Sequence, residues 1–344
     1  MLAGEDRVTI LMARPPDQLA TEEARTNFSR IKGVQVLEGL DRSETAMAGA
    51  DLIIDALLGI GVEGTLREPF AALIREMNAS GKPILSVDVP SGLGTELMVK
   101  PKVTVSLYDA KEGMTPENSG TIRIADIGIP AQVARTIGPG EFLLYPRPKA
   151  ESHKGQNGSL LIVSGGPFTG APALVAMGAL GMGADLVHIA TPAIAAQIVA
   201  SYSPNFIVHP LVGHRLLRED LELILELATK ADALAIGPGL GDSPGTLESV
   251  RAIIKGVDRP IVFDADAIRA VGQEHTVLAR KKAVATPHAR EFAVLTGKTL
   301  PEALDEKARM VQEAAKALGI TILLKGHVDI VSDGIRTKLN YTGN

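Results

Sequence analysis

Residues 52–70 read LIIDALLGIGVEGTLREPF, an apolar run followed by Gly59, Gly61 and Gly64. This G-x-G-x-x-G spacing is typical of a dinucleotide-binding turn when it joins a strand directly to a helix. In such a turn the third glycine already lies inside the helix. Here Pro69 disfavours a helical conformation at the residue before it, and proline is itself well suited to begin a helix. We therefore expect the helix to begin at Pro69 with all three glycines in an extended loop, which disfavours an ordinary dehydrogenase site.

Near-continuous apolar runs recur along the chain and end in turn-forming residues. Runs without alternation predict strands buried on both faces, as in parallel sheets. Helical segments separate them, and the clearest, residues 301–318, begins with a Thr299–Glu302 capping box and ends before Gly319. We therefore predict an α/β protein with two three-layer α/β/α domains. The predicted strands lie within residues 7–13, 50–58, 83–90, 102–109 and 121–130, and then within 159–165, 185–192, 233–239, 260–266, 282–288 and 320–326.

The length and the pattern of the chain indicate two domains. A chain of 344 residues is long for one domain. The periodic pattern lapses over about 138–154, where prolines and charges predict a linker. We expect domains at residues 1–145 and 150–344, and we expect the protein to form a homo-oligomer.

Composition excludes several classes of protein. The net charge of −5 disfavours nucleic-acid and membrane-surface partners. The sequence contains no cysteine, which excludes thiol nucleophiles and cysteine metal sites and fits a reducing cytoplasm. The uncharged stretch 155–184 contains eight glycines and two prolines, so we interpret it as a buried strand and helix and not as a membrane span.

Polar side chains follow two predicted strands in the first half of the chain. Asp55 ends one apolar run, and Asp88 and Ser91 end the next. Ligands of open parallel sheets bind at the carboxyl ends of the strands, and oxygen donors suit a hard cation. An alternative is that the two aspartates only cap turns.

In the second half, five predicted strand ends carry glycines or ionisable residues. They are the glycine loops 164–172 and 236–246, the pair Asp264 and Asp266, His288, and Lys325 with Gly326. Loop amides at a helix N-terminus bind anions, and a lysine beside bare backbone suits phosphate. Together these features predict a nucleotide-type site, although His288 taken alone is equally typical of a structural histidine.

Seven motifs in order carry a family resemblance: IIDALLGIGVEG, SVDVPSGL, HKGQNGSLLIVSGGPFTGAPAL, ALAIGPGLG, PIVFDADAI, TPHAREF and LLKGHVDIV. They resemble the bifunctional NAD(P)H-hydrate repair enzymes over nearly the whole chain. In that family a Rossmann-like NAD(P)H-hydrate epimerase is fused to a ribokinase-like dehydratase that depends on ADP or ATP. The resemblance implies that the epimerase interconverts the R and S hydrates at C6. It also implies that the dehydratase phosphorylates the hydroxyl of the S hydrate and eliminates phosphate.

The resemblance also implies roles for individual residues. Asp55 and Ser91 correspond to potassium ligands, and Asp88 corresponds to a substrate-binding acid. The epimerase substrate loop is Gly59, Ile60, Gly61, Val62, Glu63, Gly64 and Thr65. The hydrate-binding positions of the dehydratase are Gly170, Ala171, Ala173, Gly239 and His288. Its adenine-nucleotide segment is Lys325, Gly326, His327, Val328 and Asp329, and the implied cofactors are K⁺ and ADP or ATP with Mg²⁺.

The sequence departs from the family pattern at three places. It starts after the family's N-N-G-G-D-G loop, and it ends at Thr342-Gly343-Asn344, before a G-T-G-D loop whose aspartate is the expected general base. Ala289-Arg290 stand where Pro-Gly is usual. Because a general base must lie within reach of the reacting hydroxyl, we expect incomplete domains, weak or no dehydratase activity from residues 1–344, and exposed apolar sheet surface.

Two other functions stay open from the sequence. One is a ribokinase-like small-molecule kinase with an accessory domain, which assays of phosphoryl transfer to vitamin-like alcohols would distinguish. The other is a non-catalytic nucleotide-binding protein, which would bind AMP or NADPH without turnover.

Overall fold

The computed structural model describes residues 7–19 and 21–342. The chain forms two compact units that divide between Ile129 and Pro130. Both units alternate strands and helices around mainly parallel sheets, as the sequence pattern predicts. The domain bounds 1–145 and 150–344 stay a prediction.

The N-terminal unit contains a two-stranded sheet of β1 and β2 and a four-stranded parallel sheet in the order β3-β4-β5-β6. Its strands are β1 Thr9–Met12, β2 Gln35–Glu38, β3 Ile53–Asp55, β4 Ile84–Val87, β5 Val103–Leu107 and β6 Thr121–Ala125. Its α-helices are α1 Glu22–Ser29, α2 Ser43–Ala48, α3 Phe70–Ala79 and α4 Pro116–Ser119, and a 3₁₀ helix spans Pro16–Gln18. The five strands predicted here are confirmed, and β2 was not predicted.

The helix after the glycine loop begins where the proline predicts. Pro69 is the N-cap of α3, so Gly59, Gly61 and Gly64 all precede the helix. One face of α3 buries Leu73, Ile74 and Met77 in a core that also contains Ile84. The chain between β3 and β4 is therefore a long loop followed by a short packed helix, unlike a dinucleotide-binding turn.

The C-terminal unit is built on a nine-stranded sheet in the order β15-β14-β13-β12-β11-β10-β7-β8-β9. Its strands are β7 Ser159–Val163, β8 Leu186–Pro192, β9 Phe206–Leu211, β10 Ala233–Ile236, β11 Ile261–Phe263, β12 Ala283–Ala285, β13 Thr321–Leu324, β14 Asp329–Ser332 and β15 Thr337–Asn340. Its helices are α5 Ala131–Arg135, α6 Gly170–Gly181, α7 Ala193–Ser201, α8 Leu221–Thr229, α9 Pro244–Gly256, α10 Asp266–Gln273, α11 Ala289–Thr296 and α12 Leu304–Leu318. Short 3₁₀ helices span Pro139–Leu144, Arg218–Asp220 and His275–Leu278. Strands β7 to β13 pair in parallel, and β14 and β15 are antiparallel additions. The sequence pattern did not predict β9, β14 or β15.

The start of α12 corrects a sequence prediction. The helix begins at Leu304 after Ala303, and no side chain caps it, so the capping box at Thr299 is wrong. Leu300 packs against the core, which keeps the segment before the helix in a loop. The predicted end is confirmed, because Gly319 adopts the left-handed conformation that terminates a helix.

The segment interpreted as a linker is attached to the last strand of the C-terminal unit. The Ile137 amide donates to the Leu339 carbonyl at 2.9 Å, and Lys338 forms an ion pair with Glu141. Residues 136–141 therefore pack as part of this unit.

Two further expectations concern apolar surface. Ile54, Val87 and Leu107 are 47%, 37% and 37% exposed, so apolar side chains of the β3–β6 sheet face solvent as expected. The uncharged stretch 155–184 contains β7 and α6. Within the described part of the chain, no helix combines the length and apolar composition that a membrane span needs.

Candidate functional site

A buried carboxylate joins the ends of β3 and β4. Asp55 is the last residue of β3 and pairs directly with Ser86 on β4. Its carboxylate accepts hydrogen bonds from the Ser86 hydroxyl at 2.7 Å, the Ser91 hydroxyl at 2.5 Å and the Ser91 amide at 2.9 Å. All three residues are at most 1% exposed. The structure therefore brings Asp55 and Ser91 together, as predicted, and adds Ser86, which the sequence reasoning missed within the same SVDVPSG motif.

The donor set around Asp55 fits a hard cation. No Lys, Arg or His nitrogen among the described residues lies within 4.0 Å of this carboxylate, so neutral donors alone compensate its charge. Burying an ionised carboxylate without a positive partner is costly. Carboxylate and hydroxyl oxygens are the ligands that hard cations prefer. No cluster of three or more His, Asp or Glu side chains with metal-binding geometry occurs among residues 7–19 and 21–342, so a cation here would also need hydroxyl, backbone or water oxygens.

Asp88 lies at the end of β4 and pairs with a lysine that the sequence reasoning missed. Lys111 donates to the Asp88 carboxylate, to the Leu107 carbonyl at 2.6 Å and to the Ser106 hydroxyl at 3.2 Å. The Leu107 amide donates to the same carboxylate at 3.0 Å. Burial raises the pKa of Asp88, but the hydrogen bonds from Lys111 and Leu107 and the charge of Lys111 outweigh it and lower that pKa. Asp88 is therefore held ionised at the strand edge.

The predicted epimerase loop lines a cavity. The cavity has a volume of about 720 Å³, and Val62, Glu63 and Thr65 of the loop border it together with Leu58, Leu66, Phe70, Arg14 and Arg67. Gly61 and Gly64 have φ values of 90° and 74°, which favour glycine. Ile60 is 70% exposed, and Gly59, Gly61, Gly64 and Asp88 do not border the cavity. The Leu58 amide donates to the Ser91 hydroxyl at 2.9 Å and so ties the loop to the Asp55 cluster.

In the C-terminal unit, two glycine loops pack against each other at the ends of β7 and β10. Gly170 and Ala171 open α6, and Ala173 is buried one turn further. A Cβ atom at Gly239 would lie 3.3 Å from the Ala171 Cβ, and Gly239 has a φ of 73°. A Cβ atom at Gly237 would lie 1.9 Å from the Asp264 carbonyl oxygen, so no other residue fits there. The predicted hydrate-binding positions Gly170, Ala171, Ala173 and Gly239 therefore lie on these two packed loops and the start of α6. His288 does not belong to this group.

A second cavity, of about 470 Å³, lies beside these loops. Its walls include Gly166, Pro167, Leu240 and Gly241, together with the basic residues His214 and Arg215 and the acidic Asp242. The sequence reasoning did not single out His214. No regular spacing in the sequence distinguishes it, because the loop after β9 places it there.

His288 belongs instead to a charged cluster at the ends of β11, β12 and β13. His288 caps α11, and its Nδ1 accepts from the amides of Arg290 and Glu291 at 3.1 and 3.2 Å. Lys325 forms a β-bridge with His288, and its ammonium lies 2.8 Å from the Asp264 carboxylate and 4.0 Å from Glu291. The structure thus joins a predicted hydrate-binding residue to a predicted nucleotide-binding residue. Glu291 was missed, although a glutamate three residues after His288 is a capping-box signal.

The rest of the predicted nucleotide segment forms the turn between β13 and β14. The Gly326 amide donates to the Asp329 carboxylate at 3.0 Å, and Asn340 donates to its other oxygen at 3.2 Å. Asp329 and Asp333 both accept backbone hydrogen bonds inside tight turns. Gly343 and Asn344, on which the expected position of the general base depends, lie outside the described residues.

Comparisons with known proteins match both units. Residues 160–344 match the family model described as NAD(P)H-hydrate dehydratase, and residues 1–113 match the model described as YjeF-related protein N-terminus. The bifunctional NAD(P)H-hydrate repair enzyme of Pyrobaculum aerophilum is 39% identical over 365 residues, covering 99% of this chain and 71% of the relative. The chain belongs to the bifunctional NAD(P)H-hydrate repair family.

Other comparisons agree with the assignment to the NAD(P)H-hydrate repair family. Its member from Archaeoglobus fulgidus is 36% identical over 350 residues, covering 100% of this chain and 71% of the relative. The solved structure of a ribokinase-like superfamily protein from Enterococcus faecalis has a TM-score of 0.52 at 21% identity, over 64% of this chain and 75% of that chain. At that identity the likeness shows the fold alone, and it agrees with a ribokinase-like C-terminal unit.

Replacing Lys111 tests whether its ammonium lowers the pKa of Asp88. In Lys111→Met the pKa of Asp88 should rise, because burial then acts without the ammonium. A depressed carboxyl pKa stabilises the folded state above the pKa of the unfolded chain, and this stability is lost as the pH falls through the folded pKa. Wild type should therefore be more stable than Lys111→Met at pH 7, and the difference should shrink below about pH 4. Carboxyl ¹³C NMR titration and urea denaturation measure both effects.

Asp126→Asn is the control, since Asp126 only accepts the Gly128 amide in an exposed turn. An unchanged Asp88 pKa in Lys111→Met would show that the ammonium does not hold this carboxylate in solution.

Proposed function

We propose that this protein repairs hydrated NADH and NADPH. The N-terminal unit interconverts the R and S hydrates at C6, and the C-terminal unit removes water from the S hydrate at the expense of a nucleotide. Membership of the repair family supports the overall reaction. The observation that carries the proposal is the Asp88–Lys111 pair, which lies on the same sheet edge as the Asp55–Ser91 cluster.

The chemistry of epimerisation explains why such a pair is useful. C6 is inverted when the C6–O bond breaks and re-forms on the other face of the ring. The departing hydroxide takes up a proton, and the returning water gives one up. Asp88 can accept a proton, Lys111 can donate one, and the two side chains are in contact. The proton acceptor and the proton donor that the reaction needs therefore lie at one place. The Gly59–Thr65 loop would hold the dinucleotide beside them.

Residues Asp55 and Ser91 are proposed to hold K⁺, together with the Ser86 hydroxyl. The buried carboxylate without a positive neighbour supports this assignment. When bound, the cation would neutralise that charge and fix the turn that carries Asp88. Through the Leu58–Ser91 hydrogen bond, the bound cation would also stabilise the position of the substrate loop.

The C-terminal unit is proposed to use ADP or ATP with Mg²⁺. Lys325 to Asp329 would contact the nucleotide, and Gly170, Ala171, Ala173, Gly239 and His288 the hydrate. The cluster of Asp264, Glu291 and Lys325 supports a site that handles a phosphoryl group and its counter-ion. A solved ADP/ATP-dependent NAD(P)H-hydrate dehydratase from Bacillus subtilis was co-crystallised with ATP and Mg²⁺.

Epimerase activity tests the proposal directly. Residues 1–344 incubated with pure R-NADPH hydrate should convert it to a mixture of R and S forms faster than the spontaneous reaction does. Chromatography measures the conversion. Asp88→Asn should lower the rate by roughly 100-fold, since positioned proton transfer contributes about 10²- to 10⁴-fold. Asp51→Asn, an exposed position in the same unit, should match wild type. A wild-type rate equal to the spontaneous one would contradict the function.

Potassium dependence tests the Asp55 cluster. K⁺ at about 100 times its dissociation constant should add roughly 2.7 kcal/mol to the stability of the N-terminal unit. Choline at the same ionic strength should add none, and Asp55→Asn should abolish the difference between the two salts. Thermal unfolding in each salt measures this difference separately from any general loss of stability in the variant. Equal melting temperatures for wild type in K⁺ and choline would rule out the cation site.

Nucleotide binding tests the role of Lys325. Lys325→Met should weaken ADP binding by roughly 10- to 100-fold in calorimetry, because a hydrogen bond to a charged group contributes about 1.5–3 kcal/mol. Lys298→Met removes an exposed lysine of the same unit and should bind ADP like wild type. Identical ADP affinities for the two variants would place the nucleotide elsewhere.

A further inference from the structure

Two arginines border the cavity beside the glycine loop of the N-terminal unit. Arg14 and Arg67 line the same space of about 720 Å³ as Val62, Glu63 and Thr65. That volume falls within the roughly 300–1,000 Å³ of small-molecule sites. The family resemblance assigned no role to either arginine.

Among residues 7–19 and 21–342, neither guanidinium has a carboxylate partner. Within the described part of the chain, no carboxylate oxygen lies within 4.0 Å of Arg14 or Arg67. Glu68, the neighbour of Arg67 in sequence, is occupied elsewhere, because it accepts from Arg75 at 3.1 Å and from the Ala72 amide at 2.8 Å. Glu63 also borders the cavity, so two positive charges stand against one negative charge. The excess favours an anionic ligand.

Both arginines are held at the cavity by the fold. Arg14 lies two residues beyond the end of β1, and its guanidinium carbon is 5.1 Å from the centre of the Phe70 ring, a cation–π contact that fixes its direction. Arg67 lies between the glycine loop and the first turn of α3. A guanidinium presents a planar fork of donors that matches the oxygens of a phosphate.

We propose that Arg14 and Arg67 form a phosphate-binding wall that takes a phosphoryl group of the dinucleotide substrate. The inference rests on the proposed epimerase function and adds a specificity determinant to it. In Rossmann-like folds an arginine near the crevice at the strand ends accommodates the 2′-phosphate of NADP. The 2′-phosphate occurs only in NADPH hydrate, whereas the diphosphate occurs in both hydrates. The shared chemistry is a phosphate group, and the experiment separates the two sources.

The test follows the amide signals of Val62 and Thr65 by NMR, so that nucleotide bound to the C-terminal unit does not contribute. The probes are 2′-phospho-ADP-ribose and ADP-ribose, titrated into wild type, Arg14→Gln and Arg67→Gln. Each substitution should weaken 2′-phospho-ADP-ribose by roughly 10- to 100-fold, the effect of removing a hydrogen bond to a charged group. Selective loss of this probe assigns the wall to the 2′-phosphate. Equal loss of both probes assigns it to the diphosphate.

Control variants keep the outcome decisive. Arg30→Gln removes an exposed arginine of the same unit that does not border the cavity, and it should bind both probes like wild type. Arg14→Lys keeps the charge and should restore part of the affinity. The proposal is overturned if wild type shows no shifts at Val62 and Thr65, or if both glutamine variants keep wild-type affinity for both probes.

Epimerase kinetics separate this inference from the function on which it rests. If wild type binds the probes through the arginines but does not interconvert the hydrates, the proposed function fails and the phosphate wall stands. If wild type is active while KM for both hydrates is unchanged in the glutamine variants, the function stands and the wall fails.

Discussion

The N-terminal site depends on one buried charge, the carboxylate of Asp55. An ionised carboxylate removed from water is costly unless hydrogen bonds and opposite charge compensate it. Here three donors from Ser86 and Ser91 converge on it. Because Ser86 lies across from Asp55 in the sheet while Ser91 lies beyond the strand, the carboxylate fixes both the pairing of β3 with β4 and the turn that follows β4. The Ser91 hydroxyl also accepts a hydrogen bond from the Leu58 amide. The Asp55 carboxylate therefore orders the two strands, the turn after β4 and, through Ser91, the glycine loop.

In the C-terminal unit, the geometry of the sheet brings the charged side chains of the site together. Parallel pairing of β11, β12 and β13 places the residues after each strand at one edge. Asp264, His288 and Lys325 follow three successive strands of that sheet and are far apart in the chain, yet Lys325 contacts the other two elements. No single loop could hold these charges together. The site is therefore a property of the strand order and not of any one motif.

The sequence predicts those parts of the molecule whose causes are local. Pro69 fixes the start of α3, and long apolar runs identify eleven of the strands, because both signals lie within a few residues. Lys111 was missed because its partner Asp88 lies 23 positions away and the turn after β5 alone brings them together. Strands β9, β14 and β15 were missed because their short segments contain polar residues or proline, which weakens the strand pattern. The capping box at Thr299 failed because the burial of Leu300 overrode a local preference.

Backbone strain at two non-glycine residues shows how firmly the sites are built. Asp88 has a φ of 69° and Ala265 a φ of 50°, conformations that cost about 1–3 kcal/mol each. At Asp88 the strained backbone still bonds to the Val105 carbonyl at 2.8 Å, and its side chain is held by Lys111. At Ala265 the turn sends Asp264 towards Lys325 and Asp266 towards the Gly241 amide, at 2.8 Å in each case. The left-handed residue thus links the lysine cluster to the loop that borders the second cavity. These contacts hold both strained turns, so the fold itself sets the positions of the carboxylates.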